Sequence, residues 1–164
     1  MVPHCVSNHS SIAQEYHRRG RALLLAAETF CWPPDIGCPK CEDLYDRNTE
    51  AQVLEECEQS PFKHPNTGGI IGTKAALLDA LRWFTTHAGP PGVDKGHQGY
   101  FLQYARKHPQ RIALDHGGRI WTQLLGSNAS KLQVINDTKG RRGCVVLSEY
   151  NGGNEVCFLH GNGN

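Results

Sequence analysis

Three short segments of the chain carry residue types that suit ligand binding. Trp32 follows an apolar run, and its indole can stack on a flat base or a sugar face. Residues 66–69 include two successive glycines, whose backbone amides can donate to an anion. His160 precedes a glycine-rich end at residues 161–163, where an imidazole metal ligand would lie beside amides that contact phosphate. Taken together, these patterns favour a phosphorylated ligand.

Each segment also has an ordinary structural explanation. Trp32 could fill the edge of the core, residues 66–69 could form only a tight turn, and a lone histidine such as His160 is usually not a ligand. The ligand-binding interpretation therefore depends on the three segments meeting in one cleft.

A cysteine cluster offers a different chemistry. Cys38 and Cys41 have the spacing of a zinc knuckle, and Cys57 and His64 would complete four ligands. The interval from Cys57 to His64 is longer than usual for a knuckle, so one or two disulfides and free thiols stay open as alternatives. Because the chain has 7 cysteines, at least one is unpaired within a monomer.

Composition narrows the function classes. The chain of 164 residues is long enough for one domain, and 18 glycines suit a ligand-binding α/β protein. With 17 basic and 16 acidic residues the net charge is +1, which gives no field that attracts nucleic acid. The longest apolar run, residues 22–27, is too short for a membrane span, and the first residues show no secretory signal.

Two strong helix patterns and one buried strand would position these segments. Residues 21–26 read as a buried strand, and binding loops follow such strands at the carboxyl edge of an open sheet. Thr73 can cap a helix that runs to about His87. A second helix is expected from about His97 to Lys107. The predicted inner faces are Leu77, Ala80, Leu81 and Phe84 in the first helix, and Phe101, Tyr104 and Ala105 in the second.

The rest of the chain is predicted to be strands and two irregular segments. Short strands are expected at residues 111–114, 119–123, 132–135, 143–147 and 156–160. Residues 1–20 are interpreted as a poorly ordered leader or a displaced helix, and residues 36–62 as a cysteine-containing surface insertion. This order of elements predicts an α/β domain with a mixed sheet.

Five motifs, in order along the chain, resemble one family. They are RALLLAAETFCWP at residues 21–33, NTGGIIG at 66–72, QGYFLQY at 98–104, LDHGGRIWTQL at 114–124 and HGNG at 160–163. Together they resemble the glycosyltransferase domain of the procollagen lysyl hydroxylases. The resemblance covers about residues 20–164, with 36–62 poorly matched, and implies a GT-A-like, Rossmann-like mixed sheet with flanking helices.

The resemblance implies a reaction and a set of site residues. The family transfers a sugar from a UDP-sugar to hydroxylysine or galactosyl-hydroxylysine in collagen-like chains, uses Mn²⁺ and works in the lumen of the secretory pathway. By position, Asp94 and Gln98 would be catalytic, and His160 would bind the metal. The donor and acceptor would be held by Cys31, Trp32, Asn66, Gly68, Gly69, Gly161, Asn162 and Gly163.

The sequence departs from the family pattern at the metal site. The aspartate-rich metal motif of the family precedes the first strand, so we expect residues 21–164 to be the C-terminal part of an incomplete domain. Only Asp94 remains of the acidic segment before Gln98, and His160 alone cannot hold Mn²⁺ tightly. The alternatives are a non-catalytic, glycosyltransferase-like binding fragment or a small zinc-binding module. An unpaired sheet edge would also favour a homo-oligomer.

Overall fold

A computed structural model describes residues 2–3, 9–87, 96–123, 132–136, 144–148, 154–155 and 158–160. Within these ranges the chain is mixed α/β. The helices are α1 (His9–Arg19), α2 (Ala51–Gln59), α3 (Lys74–His87) and α4 (Gly96–Lys107). The strands are β1 (Val2–Pro3), β2 (Leu23–Glu28), β3 (His64–Gly72), β4 (Ile112–Leu114), β5 (Trp121–Gln123), β6 (Leu132–Asn136), β7 (Cys144–Ser148), β8 (Asn154–Glu155) and β9 (Phe158–His160).

Strand β2 is the centre of the main sheet, whose order is β3-β2-β4. It pairs antiparallel with β3 and parallel with β4. All six of its residues are buried. A strand covered on both faces needs apolar side chains at successive positions, which explains the uninterrupted run that predicted it.

The two faces of β2 belong to two separate apolar clusters. Leu23 and Leu25 pack in a core that includes side chains of α2, α3 and α4. Leu24 and Ala26 face the other way, towards Trp121 and the α1 residues Ile12 and Tyr16. Helices α3 and α4 therefore cover one side of the sheet, and α1 with β5 covers the other.

Two smaller sheets complete the described part of the chain. One has the order β1-β9-β5, in which β9 runs parallel to β5 and antiparallel to β1. The other is the antiparallel meander β6-β7-β8. The strands predicted in the second half of the chain are therefore confirmed within one or two residues at their described ends.

The structure confirms both predicted helices and corrects one face. Thr73 Oγ1 accepts the backbone N–H of Ala76 at 3.1 Å, which is the expected N-cap of α3. The predicted inner residues Phe101, Tyr104 and Ala105 of α4 are all buried. In α3, however, Leu81 is 52% exposed, because the buried row passes through Ala76 and Ala80.

The two segments expected to lie outside the core contribute to it. Of the two alternatives given for residues 1–20, His9–Arg19 match the helix and not the poorly ordered leader, since they form α1 with Glu15 and Arg19 buried. Residues 36–62 are not a surface insertion, since many of their side chains are in the core. Those buried are Pro39, Cys41, Leu44, Tyr45, Leu54, Cys57 and Phe62. The short helix α2 lacks the long apolar period that would have revealed it.

In the described part of the chain, none of the helices has both the length and the apolar character that crossing a bilayer requires.

Candidate functional site

A buried carboxylate at the end of β2 joins three elements. Glu28 is the last residue of the strand and is almost fully buried. Its Oε2 accepts a hydrogen bond from Asn66 Nδ2 on β3 at 2.9 Å. Its Oε1 accepts one from Gln98 Nε2 in the first turn of α4. Two residues that the sequence nominated separately, Asn66 and Gln98, therefore meet on one carboxylate.

Gln98 also fixes the loop that follows β2. Its Nε2 donates to the carbonyl of Trp32 at 2.8 Å and lies 3.4 Å from the carbonyl of Pro65. Because one amide contacts the strand end, this loop and β3, a change at Gln98 would loosen all three.

The aromatic side chains of this loop face outward. Trp32 is 64% exposed and Phe30 is 58% exposed. The alternative in which Trp32 only fills the edge of the core is therefore wrong. A disulfide between Cys31 and Cys38 closes the loop, with 5.4 Å between the Cα atoms. Trp32 is thus an exposed indole on a covalently closed loop.

Asn66 lies at an irregularity in β3 and not in an isolated turn. Leu25 pairs with Ile70 while the next residue, Ala26, pairs with Asn66. Residues 67–69 are therefore extra on the β3 side, as in an extended β-bulge. Within the bulge Asn66 Oδ1 accepts the backbone N–H of Gly68 at 2.7 Å. The bulge brings the Asn66 side chain to the strand end where Glu28 lies.

Gly69 has a packing role that the sequence did not suggest. A Cβ at this position would lie 2.3 Å from two atoms of the Trp121 indole, so the absence of a side chain lets Trp121 pack on β3. Trp121 begins β5, and β5 pairs with β9 so that Gln123 lies opposite His160. The bulge and the strand that ends at His160 are thus connected through one indole.

Several predicted site residues lie outside the described residues. These are Asp94, Gly161, Asn162 and Gly163. His160 is described as the last residue of β9, without its side chain. The structure therefore brings together Trp32, Asn66, Gly68 and Gln98, and leaves the predicted metal and diphosphate contacts untested.

Sequence reasoning did not nominate Glu28 as a site residue. The available signal was its position: it is the charged residue that ends an otherwise apolar strand. A carboxylate buried at a strand end must be paired with hydrogen-bond donors. The donors that the structure shows are Asn66 and Gln98, both of which the sequence predicts as site residues.

The zinc hypothesis does not fit the described residues. Cys38 is bonded to Cys31 and Cys41 to Cys57, so three of the four proposed ligands are held in disulfides. His64, on β3, is in the same strand as the site, and burial lowers the pKa of its imidazole. The observed pairing matches the two-disulfide alternative.

The described residues also do not fit Mn²⁺. The group whose ligand atoms come close together is Cys41, Glu42 and Cys57. Since both sulfurs form a disulfide, only the Glu42 carboxylate remains, whereas Mn²⁺ prefers several oxygen ligands. Glu28 already accepts two amide hydrogen bonds.

A second polar cluster follows β4, the parallel neighbour of β2. Asp115 is fully buried and its carboxylate accepts the backbone N–H groups of Arg119, Ile120 and Trp121 at 3.0, 2.7 and 2.8 Å. Among the described residues the Arg119 side chain contacts Glu15 and forms no ion pair with this carboxylate. Asp115 instead shapes the turn that leads into β5.

Comparison with known proteins adds no relative to this description: no family model matches the chain, and none of the curated proteins matches it.

Proposed function

We propose that the chain binds a sugar nucleotide and is a GT-A-like glycosyltransferase of the procollagen hydroxylysine galactosyl- or glucosyltransferase kind. The observation that carries the proposal is the convergence of Glu28, Asn66 and Gln98 at the loop that exposes the Trp32 indole, which Gln98 holds through the Trp32 carbonyl. Three of these four residues, Trp32, Asn66 and Gln98, are among the site residues that the resemblance implies.

The chemistry of the cluster suits a sugar. Carbohydrates present an apolar ring face and many hydroxyl groups, so sites for them combine an aromatic surface with fixed polar side chains. Trp32 offers that surface, and the Glu28 carboxylate holds the amides of Asn66 and Gln98 in fixed orientations. The loop that exposes this indole is therefore anchored to an ordered polar cluster through the bond from Gln98 to the Trp32 carbonyl.

The remaining parts of the proposal follow from the resemblance alone. The reaction would move a hexose from UDP to a hydroxyl of hydroxylysine or its galactoside in a collagen-like acceptor. Asp94, His160 and residues 161–163 would contribute to catalysis, metal binding and diphosphate binding. The two disulfides are compatible with the lumen of the secretory pathway.

Isothermal titration calorimetry with UDP-glucose and UDP-galactose, with and without Mn²⁺, tests the binding step. We expect Trp32→Ala and Gln98→Ala each to weaken binding by about tenfold or more, since each removes a contact or a positioning bond. Gln52→Ala, at an exposed glutamine of α2, is the matched control and should bind as the unsubstituted chain does. Absence of saturable binding by both nucleotides, or full binding by Trp32→Ala, contradicts the proposal.

A non-catalytic binding protein is the second candidate function. It is favoured by the lack of a carboxylate-rich metal cluster among the described residues. Release of UDP from a UDP-sugar, with and without a hydroxylysine peptide, separates the two. Binding without release of UDP supports the non-catalytic candidate, and peptide-dependent release supports the transferase.

A further inference from the structure

Helix α4 holds the Trp32 ring, which is residues 31–38 with the disulfide that closes them, at two separate points. Near the start of the helix Gln98 Nε2 donates to the Trp32 carbonyl at 2.8 Å. Near its end Arg106 Nη1 donates to the Ile36 carbonyl at 2.9 Å. Positions 98 and 106 differ by eight residues, or about 12 Å along the helix axis. The helix therefore contacts both the beginning and the far part of the ring.

The contact with Arg106 depends on a glycine of the ring. Gly37 directly follows Ile36 and has a φ of 67°, a conformation that residues with a side chain rarely adopt. A Cβ at this position would lie 3.0 Å from Arg106 Nη2. The bare backbone of Gly37 thus leaves the space that the guanidinium fills beside the Ile36 carbonyl. Two successive residues of the ring therefore contact the same arginine.

A displacement of Ile36 reaches Trp32 because the ring is short, closed and stiff between them. The disulfide joins the two ends of the ring. Between the two residues that α4 holds stand Pro33 and Pro34, whose pyrrolidine rings fix their φ angles. The backbone N–H of Gly37 donates to the Pro34 carbonyl at 3.2 Å and closes a turn within the ring. Few backbone torsions are therefore free to absorb a movement at the Ile36 end.

The arginine contributes little to the core of the fold. Arg106 is exposed, and its bond to the Ile36 carbonyl lies at the surface. A hydrogen bond from a charged group is stronger than one between neutral groups, yet at the surface it adds little to the free energy of unfolding because water competes for both partners. The effect of this bond is therefore expected in the order of the ring and not in the stability of the chain.

We propose that Arg106 is a positioning residue for ligand binding at Trp32: it holds the far part of the ring and so keeps the exposed indole in the orientation that a ligand meets. The inference rests on the sugar-nucleotide function proposed above and adds a residue which that function does not include. A loop that is already fixed loses less conformational entropy when a ligand binds, so its affinity is higher. Arg106 acts through the Ile36 carbonyl and not through contact with the ligand.

The order of the Trp32 indole in the full, ligand-free chain is the first measurement, made without added thiol. The heteronuclear NOE of each indole N–H reports its motion on the picosecond to nanosecond timescale, and Trp32→Phe identifies the signal of Trp32. In Arg106→Gln we expect the NOE of Trp32 to fall and that of Trp121, which packs on Gly69, to stay unchanged. Lys107→Gln removes a positive charge from the next position of α4 and is the matched control, which should leave both signals unchanged.

The affinity for UDP-glucose and UDP-galactose is the second measurement. We expect Arg106→Gln to weaken the binding that the unsubstituted chain shows by about threefold to fivefold, as the loss of one surface hydrogen bond would do. Arg106→Lys keeps a cationic donor in place of the guanidinium, so it should recover part of that affinity. Lys107→Gln should bind as the unsubstituted chain does. The Tm of all three variants should equal that of the unsubstituted chain, which separates loss of ring order from loss of the fold.

Three results overturn the inference: an equal NOE of Trp32 in Arg106→Gln and the unsubstituted chain, a lowered NOE with unchanged affinity, or an equal loss of affinity in Lys107→Gln, which would assign the effect to charge alone. An unsubstituted chain that binds neither UDP-sugar contradicts the sugar-nucleotide proposal. The ligand-binding role of Arg106 then fails with it, and the NOE of Trp32 alone shows whether Arg106 orders the ring.

Discussion

The ends of β2 and β4 place the same chemistry in two different settings. A buried acidic residue lies at the carboxyl end of each of these neighbouring parallel strands: Glu28 is the last residue of β2, and Asp115 directly follows β4. Glu28 accepts hydrogen bonds from side-chain amides of β3 and α4. Asp115 accepts three from the backbone of its own turn. One carboxylate thus connects distant elements, and the other organises a local turn.

The side chains around Glu28 and Asp115 also differ in their exposure to solvent. After Glu28 the loop exposes Phe30 and Trp32, so the strand end with its ordered polar groups leads into a segment that can contact a ligand. Next to Asp115 the buried His116 contacts Arg19, and the polar groups there hold α1 and α2 to the sheet. We therefore expect substitutions at the β4 end to change stability most, and substitutions in the exposed β2 loop to change binding most.

The largest effect is expected for Asp115→Ala. Three backbone N–H groups, two of them in buried hydrogen bonds, would lose their acceptor, and we expect a loss of about 3 to 5 kcal/mol in the free energy of unfolding. Urea denaturation followed by circular dichroism measures it. Asp46→Ala is the control, because Asp46 also accepts backbone N–H groups, of Asn48 and Thr49, but in an exposed turn. A loss of about 1 kcal/mol or less is expected there; equal losses would contradict the contrast.

Gly69→Ala should produce the next largest effect, on the bulge that presents Asn66. The new methyl group would overlap the Trp121 indole, and overpacking of this kind costs about 2 to 3 kcal/mol. Thermal or urea unfolding gives the value. At Gly117 a Cβ would lie an ordinary 3.4 Å from Arg119 Nε, so Gly117→Ala should cost clearly less. The packing explanation fails if the two alanine variants are equally stable.

The next largest effect is expected from lowering the pH, which should reduce the free energy of unfolding through His116 at the β4 end. The pKa of His116 is about 4 in the folded chain, below its ordinary 6.5, so the unfolded chain binds the proton more readily. The stability that the buried, neutral imidazole of His116 contributes is therefore present above pH 6.5 and is lost as the pH falls towards 4. Between pH 7 and pH 5 we expect a loss of about 2 kcal/mol from this group.

Parallel urea titrations at the two pH values measure that loss. The pKa of Glu56 is lowered by hydrogen bonding to Arg18 despite the opposing effect of burial, so its protonation acts in the same direction at lower pH. His116→Gln should show a clearly smaller loss than the unsubstituted chain. An unchanged loss in that variant would assign the pH dependence to other groups.

The smallest stability effect is expected for Trp32→Ala. Most of the indole is already in contact with solvent, so truncation should change the free energy of unfolding by about 0.5 kcal/mol or less. Gln98 donates to the Trp32 carbonyl, which the substitution leaves in place. A large destabilisation would show that the loop supports the fold, and would weaken its assignment to ligand binding.

The elements that periodicity predicted well are those with one dominant environment. Strand β2 is buried on both faces, and α4 buries one regular stripe of side chains. Their apolar patterns therefore predict the type and the position of each element. Helix α2 is short, and its attachment to the core includes a disulfide from Cys57 to Cys41. Pairing of cysteines and the burial of isolated side chains such as Tyr45 depend on distant contacts, which local patterns do not contain.

The candidate site was predictable in its members and not in its contacts. Trp32, Asn66 and Gln98 were singled out along the sequence, yet their meeting at Glu28 depends on the shift in register between β2 and β3. The position and length of such a bulge cannot be predicted from residue types alone. The sequence predicts a ligand contact through the backbone amide of Gly69, whereas the structure shows this glycine packed against an indole from β5.

The bond between Cys31 and Cys38 makes the choice of buffer part of any ligand measurement. Added thiols, customary for a chain rich in cysteine, would open the small ring that carries Trp32 and multiply the conformations available to the indole. A ligand would then have to order that segment as it binds, and its measured affinity would fall although every contact residue was intact. The difference in affinity between titrations made with and without a reductant therefore measures how much the closed ring contributes to binding by ordering the loop beforehand.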